Sequence, residues 1–381
     1  MPLGVAELTT PTNMCSDDSV RWQEQVLATD DPSALPGMSR LAGLVRSVRT
    51  PEFAGVTFHE VHAKSALNRV PGGSPMPFAW TVNPYRGCTH GCVYCFARKS
   101  HTYLDFDSGA DFDQQIVVKT NAGSVLRKEV GSPRWRREHV AMGTNTDPYQ
   151  RAEGRYRLMP EIIGALADSG TPFSILTKGT VLSRDLPLLA AAGRSVPVGV
   201  GVSLALLDPE LQATLEPGTP SPKARLDLVR RIRDAGLPCG VFVAPILPFL
   251  TDGPDQIRAL VRQLADAGAT GVSGIGLHLR PGAREWFFGW LGRTRPDLVD
   301  RYHQLYAGGA NLPADYRKEL AGRVRRISAE FALGAGADSQ LAGRNPVRGV
   351  PGDREASFPA GSLPARSADE PAPATAAPTL F

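Results

Sequence analysis

From about residue 78 to residue 280 the spacing of apolar positions switches repeatedly between a period of two and a period near 3.6. Short runs rich in β-branched and aromatic residues lie at Phe78–Val82, Ile116–Lys119, His139–Met142, Phe173–Thr177, Val198–Ser203, Gly240–Ile246 and Val272–Leu279, and read as strands. Helical patterns fall between several of them. One places Ile257, Leu260, Val261 and Leu264 on a single face, with Pro254 in the first turn and Gly268 past the end. A second runs from Pro222 to Ala235 behind Ser221 as N-cap, and a third carries Leu158, Ile162, Ile163 and Leu166 before Gly170. Strand, helix and strand repeated about six times imply parallel pairing, so the expected class is α/β, a partial (β/α)6-type parallel barrel. Its chemistry is expected at the carboxyl ends of the strands.

Composition divides the chain further. Residues 1–40 mix Pro, Asp, Ser and Thr without periodicity and are expected to form a flexible arm. The core is expected over 41–285 and a helical extension over 286–333. Residues 334–381, rich in Ala, Pro, Gly and Ser, have too little apolar surface to offset their ordering entropy and are expected to be a disordered tail. No apolar stretch is long enough to cross a membrane, and the start of the chain shows no export leader, so a soluble, cytoplasmic protein is expected. The net charge of +4, from 42 basic and 38 acidic residues in 381, is too mild to identify a nucleic-acid partner.

The cysteines change the picture. Of five, Cys88, Cys92 and Cys95 fall within eight positions, directly after the first predicted strand, whereas Cys15 and Cys239 stand alone. That asymmetry argues against a disulfide framework and for a metal or cluster. Spacings of three and two residues let one loop turn its thiolates to a common centre, with Gly87 and Gly91 supplying backbone freedom. Three ligands leave one iron of a cubane unclaimed by protein, and an open metal position is what separates a reactive site from a closed one. A zinc site recruiting His90 or His101 is an alternative, but no second ligand pair is present in the sequence. Core packing of three thiols fits poorly with the polar Arg86, Thr89 and His90, and a ferredoxin would need a fourth cysteine nearby.

Cys-x3-Cys-x2-Cys after a first strand, with an aromatic before the third cysteine, resembles the radical SAM superfamily over roughly residues 75–280. The resemblance implies a [4Fe–4S] cluster on Cys88, Cys92 and Cys95 and S-adenosylmethionine (SAM) chelated at the open iron. A reducing donor such as flavodoxin or ferredoxin would drive cleavage of SAM to a 5′-deoxyadenosyl radical for hydrogen abstraction. Tyr94 would lie against the adenine, and Arg86 would either offset the cluster's charge or face solvent. Asn83-Pro84-Tyr85-Arg86-Gly87-Cys88 and later segments resemble the spore photoproduct lyase-like group, also labelled DNA repair photolyases. By that resemblance Thr146, Lys178 and Ser203 are candidate SAM contacts at the ends of successive strands, against bland readings as turn and strand-end residues.

The chain departs from that group at Thr144, where a thiol that returns hydrogen to the product is expected; a hydroxyl O–H bond is too strong for that role. Cys239, on the sixth strand, is a candidate replacement, with a core position as its plainer reading. Arg127, Lys128, Arg134, Arg136 and Arg137, with Trp135 among them, form a cluster that suits either a phosphate backbone or a solvated surface. Glu153, Glu216 and Arg225 are expected to border the barrel mouth as substrate or ribose contacts. The substrate is left unassigned, with nucleic acid a candidate and no membrane partner. The competing class is an iron–sulfur redox protein on the same fold that does not turn over SAM.

Overall fold

The computed structural model describes residues 41–71, 76–335 and 358–363; the expected arm, 1–40, lies outside the described residues. In chain order the strands are β1 (Leu44–Arg49), β2 (Thr57–Val61), β3 (Leu67–Arg69), β4 (Trp80–Val82), β5 (Tyr85–Arg86), β6 (Gln115–Lys119), β7 (Val140–Met142), β8 (Phe173–Thr177), β9 (Val198–Ser203), β10 (Cys239–Ile246), β11 (Gly271–Gly276) and β12 (Gly334–Ala335). Eight of them form an open sheet in the order β12-β11-β10-β9-β8-β7-β4-β3. All neighbours from β4 to β12 pair in parallel, and β3 adds an antiparallel edge. The expected partial barrel is therefore present, with β4, β7, β8, β9, β10 and β11 as its six staves.

Ile116–Lys119 is a correction to the expected strand series. It belongs to β6 of a second sheet, order β1-β2-β6-β5. Pro84 interrupts the chain just after β4 and cannot donate to a ladder. Its carbonyl instead accepts from Lys119 N at 3.0 Å, which starts the side sheet and leaves β7 as the parallel neighbour of β4. The cysteine loop, with β5 and β6 of the side sheet, thus lies in the crossover between the first two staves.

The helices form for the reasons their sequences suggest. Ser221 Oγ accepts from Ala224 N at 3.2 Å at the start of the helix Pro222–Asp234, which buries Leu226, Val229 and Ile232. The helix Pro254–Asp266 buries Ile257, Leu260, Val261 and Leu264, each burial stabilising by about 1.5–3 kcal/mol. Along β9 the period of two sends Val198, Val200 and Val202 to one face and Gly199 and Gly201 to the other. Helices Ala283–Thr294, Val299–Leu305 and Ala314–Glu330 follow the last stave. No helix among the described residues is long and apolar enough to cross a membrane.

Most of the expected tail, 336–357 and 364–381, lies outside the described residues. Gly334–Ala335 pairs with β11, and residues 358–363 pack against the amino ends of the staves. Phe358 stacks on His139 with ring centroids 4.1 Å apart, and both Phe358 and Ser362 are buried. A Cβ on Gly240 would stand 2.3 Å from Ala360 O, and one on Gly199 2.6 Å from Phe358 Cδ1. Thr270 Oγ1 links the two chains, accepting from Cys239 N at 2.8 Å and donating to Gly361 O at 2.5 Å. Composition scored this stretch as unable to fold alone, but its apolar contacts come from the barrel.

Candidate functional site

The three cysteines open from the carboxyl end of β4, on a loop held from several sides. Cys88 and Cys92 are buried and Cys95 is half-buried. Gly87 has φ +78, and a Cβ there would meet Phe112 O at 2.8 Å, so the sharp entry to the loop requires glycine. Thr146 Oγ1 donates to Gly87 O at 2.7 Å, and Gln150 Nε2 adds a second bond to the same oxygen at 3.1 Å. Gln150 Oε1 accepts from Thr89 N at 2.8 Å. From the other side, Val93 N donates to Leu215 O at 3.0 Å, and Gly218 approaches so closely that a Cβ would lie 2.0 Å from Thr89 O. Arg98, fully buried, donates to Cys92 O at 2.9 Å, to Gly109 O at 2.7 Å and to Asp113 at 2.8 Å.

A charged network stands beside the loop at the ends of β8 and β9. Arg225 and Glu216 form an ion pair at 2.5 Å with both side chains fully buried. Tyr94 donates its hydroxyl to Glu216, which locks the ring, and Lys178 Nζ lies 5.8 Å from the centroid of that ring. Burial alone would lower the Lys178 pKa, but the Cys92 sulfur and Glu216 outweigh it and raise it. Glu216 stays below the usual carboxylate range because Arg225 and Lys178 together overcome its burial. Asp147 accepts from Lys178 N at 2.7 Å and faces His90 Nδ1 at 3.3 Å, which ties the post-β7 turn to the cysteine loop.

The donor set fits a cluster in thiolate form. Burial pushes all three thiols above their usual range, so bare thiolates here lack compensation and metal binding would release protons. Among the described residues no three His, Cys, Asp or Glu side chains converge to hold one metal ion. His101 Nε2 is already engaged with Gln115 O at 2.8 Å, so the zinc alternative with His101 is not assembled. A cubane instead gives each thiolate its own iron. Four buried polar atoms around the same mouth, Asn83 Oδ1, Thr89 Oγ1, His90 Nε2 and Thr144 Oγ1, have no hydrogen-bond partner among the described residues. Unsatisfied groups of this kind cost about 1–3 kcal/mol each and suit a site completed by a polar ligand.

Other candidates resolve differently. Glu153 is fully buried and committed: it accepts from Tyr85 Oη at 2.5 Å, Leu158 N at 3.0 Å and Arg184 Nη2 at 2.7 Å, so it is a framework residue and not a substrate contact. Ser203 Oγ donates to Ala244 O at 3.2 Å, and its own carbonyl accepts from Arg225 at 3.1 Å. Cys239 is buried as the first residue of β10, at the end opposite the cysteine loop, with its thiol pushed up to about 12 by burial; it is a core residue. Arg86 lines a small cavity with Asn68, Asn83, Lys119 and Asn145. The basic cluster lies before β7, towards the amino ends: Arg127 pairs with Asp168 at 2.7 Å, and Trp135 packs edge-on against Trp80 while donating to Thr171 at 2.8 Å. Sequence reasoning missed Arg98 and Gln150. Their only signal is position, Arg98 three residues after Cys95 and Gln150 four after Thr146.

Cysteine loop, parallel staves and carboxyl-end cations define one class: the chain belongs to the radical SAM superfamily, whose family model matches residues 82–272. It is an enzyme of that class. An uncharacterised protein of Mycobacterium tuberculosis is 59% identical over 318 residues, covering 82% of this chain and 93% of the relative. Another, from Acidianus two-tailed virus, is 28% identical over 253 residues, covering 61% of this chain and 82% of the relative. Among solved structures, spore photoproduct lyase complexed with dinucleoside spore photoproduct shares the fold, with a TM-score of 0.55 at 18% identity, covering 73% of this chain and 80% of that one.

Proposed function

We propose that Cys88, Cys92 and Cys95 hold a [4Fe–4S] cluster whose open iron takes SAM, and that the barrel mouth presents a nucleic-acid substrate to the product of SAM cleavage. The observation that carries this reading is the placement of three buried cysteines on one pinned loop, with the Lys178 ammonium beside Tyr94 and Cys92. When bound, the reduced cluster and SAM supply a 5′-deoxyadenosyl radical for hydrogen-atom abstraction.

The chain's residues divide the remaining work. Lys178 is the partner for the SAM carboxylate, as a cation at a stave's carboxyl end. Tyr94, its hydroxyl tied to Glu216, offers a fixed ring face to the adenine. Ser203 Oγ gives its proton to Ala244 O and keeps its lone pairs for the ligand's donors. Thr146 acts at one remove, by holding Gly87 and hence the direction of Cys88. The nucleic-acid reading draws on the likeness to a fold solved with a dinucleoside ligand. Among the described residues Thr144 and the buried Cys239 leave no thiol beyond the three of the loop at the mouth for a final hydrogen return, so a reaction other than thiol-assisted dimer repair is favoured. A flavodoxin- or ferredoxin-type donor supplies the electron.

Anaerobically reconstituted protein with a chemical reductant tests the reading: 5′-deoxyadenosine and methionine are released, and the electron paramagnetic resonance spectrum of the reduced protein changes when SAM is added. An intact cluster with no cleavage, even with oligonucleotide present, would support the redox-protein alternative. Iron content unchanged after all three cysteines are replaced by alanine would overturn both.

A further inference from the structure

Phe96 follows the last cysteine of the loop, yet its ring is 44% exposed; among the described residues Val45 is the other large apolar side chain left open. An aromatic in that position forgoes part of the stabilisation that burial would give, so what faces it carries information. The Arg280 guanidinium stands over the ring, 5.9 Å from its centroid. Arg280 is itself exposed, but its direction is set: Nε donates to His278 Nε2 at 3.0 Å, and His278 Nδ1 meets Asn311 Oδ1 at 2.8 Å. Because Nε2 accepts, the ring proton lies on Nδ1 and Asn311 Oδ1 accepts it, which fixes a neutral imidazole. Burial, then the Arg280 charge, lowers the His278 pKa and favours the same form.

The loop carrying Arg280 is placed by backbone. Leu279 N donates to Ala310 O at 2.8 Å, and Gly282, at φ +87, sits so that a Cβ would be 3.3 Å from Ser108 and 3.6 Å from Lys99 Cα. Lys99 is exposed. A flat ring and an oriented guanidinium therefore meet at the rim, beginning one residue from Cys95, and the exposed Lys99 is carried on a backbone that faces the Arg280 loop at Gly282. Aromatic and guanidinium planes accept an unstacked base on its face, and a neighbouring ammonium takes phosphate. An acidic peptide would use the cations and leave the ring idle.

We propose that Phe96 and Arg280 form a stacking platform for one unstacked base of the nucleic-acid substrate, with Lys99 meeting an adjacent phosphate. The inference deepens the proposed function and rests on its nucleic-acid part. The test uses the reconstituted full chain with a labelled oligothymidylate of about 12 nucleotides and an abasic strand of equal length and charge. Phe96→Leu is expected to weaken binding of the base-bearing strand about tenfold with little change on the abasic strand, whereas Phe96→Trp restores it. Arg280→Gln weakens both strands, and Lys99→Gln lowers the salt dependence by about one counterion. Iron content and circular dichroism confirm that each variant is folded, and Arg280→Gln carries the test if Phe96→Leu loses its cluster. Equal loss on both strands for Phe96→Leu, unchanged binding for both variants, or no binding of either strand by the wild type overturns the platform. SAM cleavage measured in the same samples separates the ideas: cleavage without wild-type strand binding sinks the platform together with the nucleic-acid part of the proposed function and leaves the radical part standing, wild-type binding that Phe96→Leu does not weaken selectively sinks the platform alone, and strand binding without cleavage sinks the radical part alone.

Discussion

The two ends of the barrel are built on opposite terms. At the amino end, residues 358–363 press glycine against backbone, and Thr270 satisfies a main-chain group on each side. At the carboxyl end, four buried polar atoms lack partners and a fully buried ion pair stands beside three thiols that resist ionisation. At the amino end the chain packs against itself, although His139 Nδ1 and Ser362 Oγ lack partners among the described residues there too, whereas at the carboxyl end the unmatched atoms lie around the cysteine loop.

Breaking the buried pair should have the largest effect. Glu216→Gln leaves Arg225 enclosed without a counter-charge and is expected to lower unfolding free energy by about 3–5 kcal/mol in a denaturant titration. A loss below about 1 kcal/mol would mean that water reaches the pair. At the other end, Gly240→Val drives a side chain into Ala360 O and should cost about 1–3 kcal/mol. The same substitution in a chain ending at residue 357 should be nearly neutral, and equal costs in both chains would remove the plug from the account.

Acid should loosen the amino end through His139. Burial depresses its pKa to about 3, below the ordinary value of 6.5, and its ring is covered by Phe358. The unfolded chain therefore binds a proton that the folded chain refuses, so stability present above pH 6.5 is lost as pH falls from 6.5 towards 3. Between pH 6.5 and 5 this amounts to about 1–2 kcal/mol. Thermal unfolding at the two pH values should show a smaller drop for His139→Gln, and an identical drop would clear His139 of the effect. The smallest change is expected for Arg127→Ala: its pair with Asp168 is half exposed, so stability should shift by at most about 0.5 kcal/mol and strand binding not at all.

Much of the fold was legible because its signals are local. A helix such as Pro254–Asp266 announces its buried face by spacing, and the parallel staves announce themselves as short apolar runs between helices. Ile116–Lys119 has the same composition as a stave, and only the turn at Pro84 sends it to another sheet. The cysteines drew notice from spacing alone, and the structure brings all three onto one loop. Thr146 and Glu153 were not legible as framework residues, because what a side chain bonds to depends on loops that meet in space: Gly87 lies 59 positions from Thr146, and Tyr85 68 from Glu153. Arg98 is the sharpest case, a charged residue whose full burial follows from carbonyls of the loop it stabilises.

The sequence by itself determined the spacing of the three cysteines, the α/β alternation and the end of the sheet from which the cysteine loop opens, since spacing and apolar period act over a few residues. Only the tertiary structure decided that part of an Ala- and Pro-rich tail closes the barrel's amino end, and which charged groups are committed and which remain open to a ligand. Burial and partner choice are properties of surfaces brought together over long separations, and no local pattern carries them.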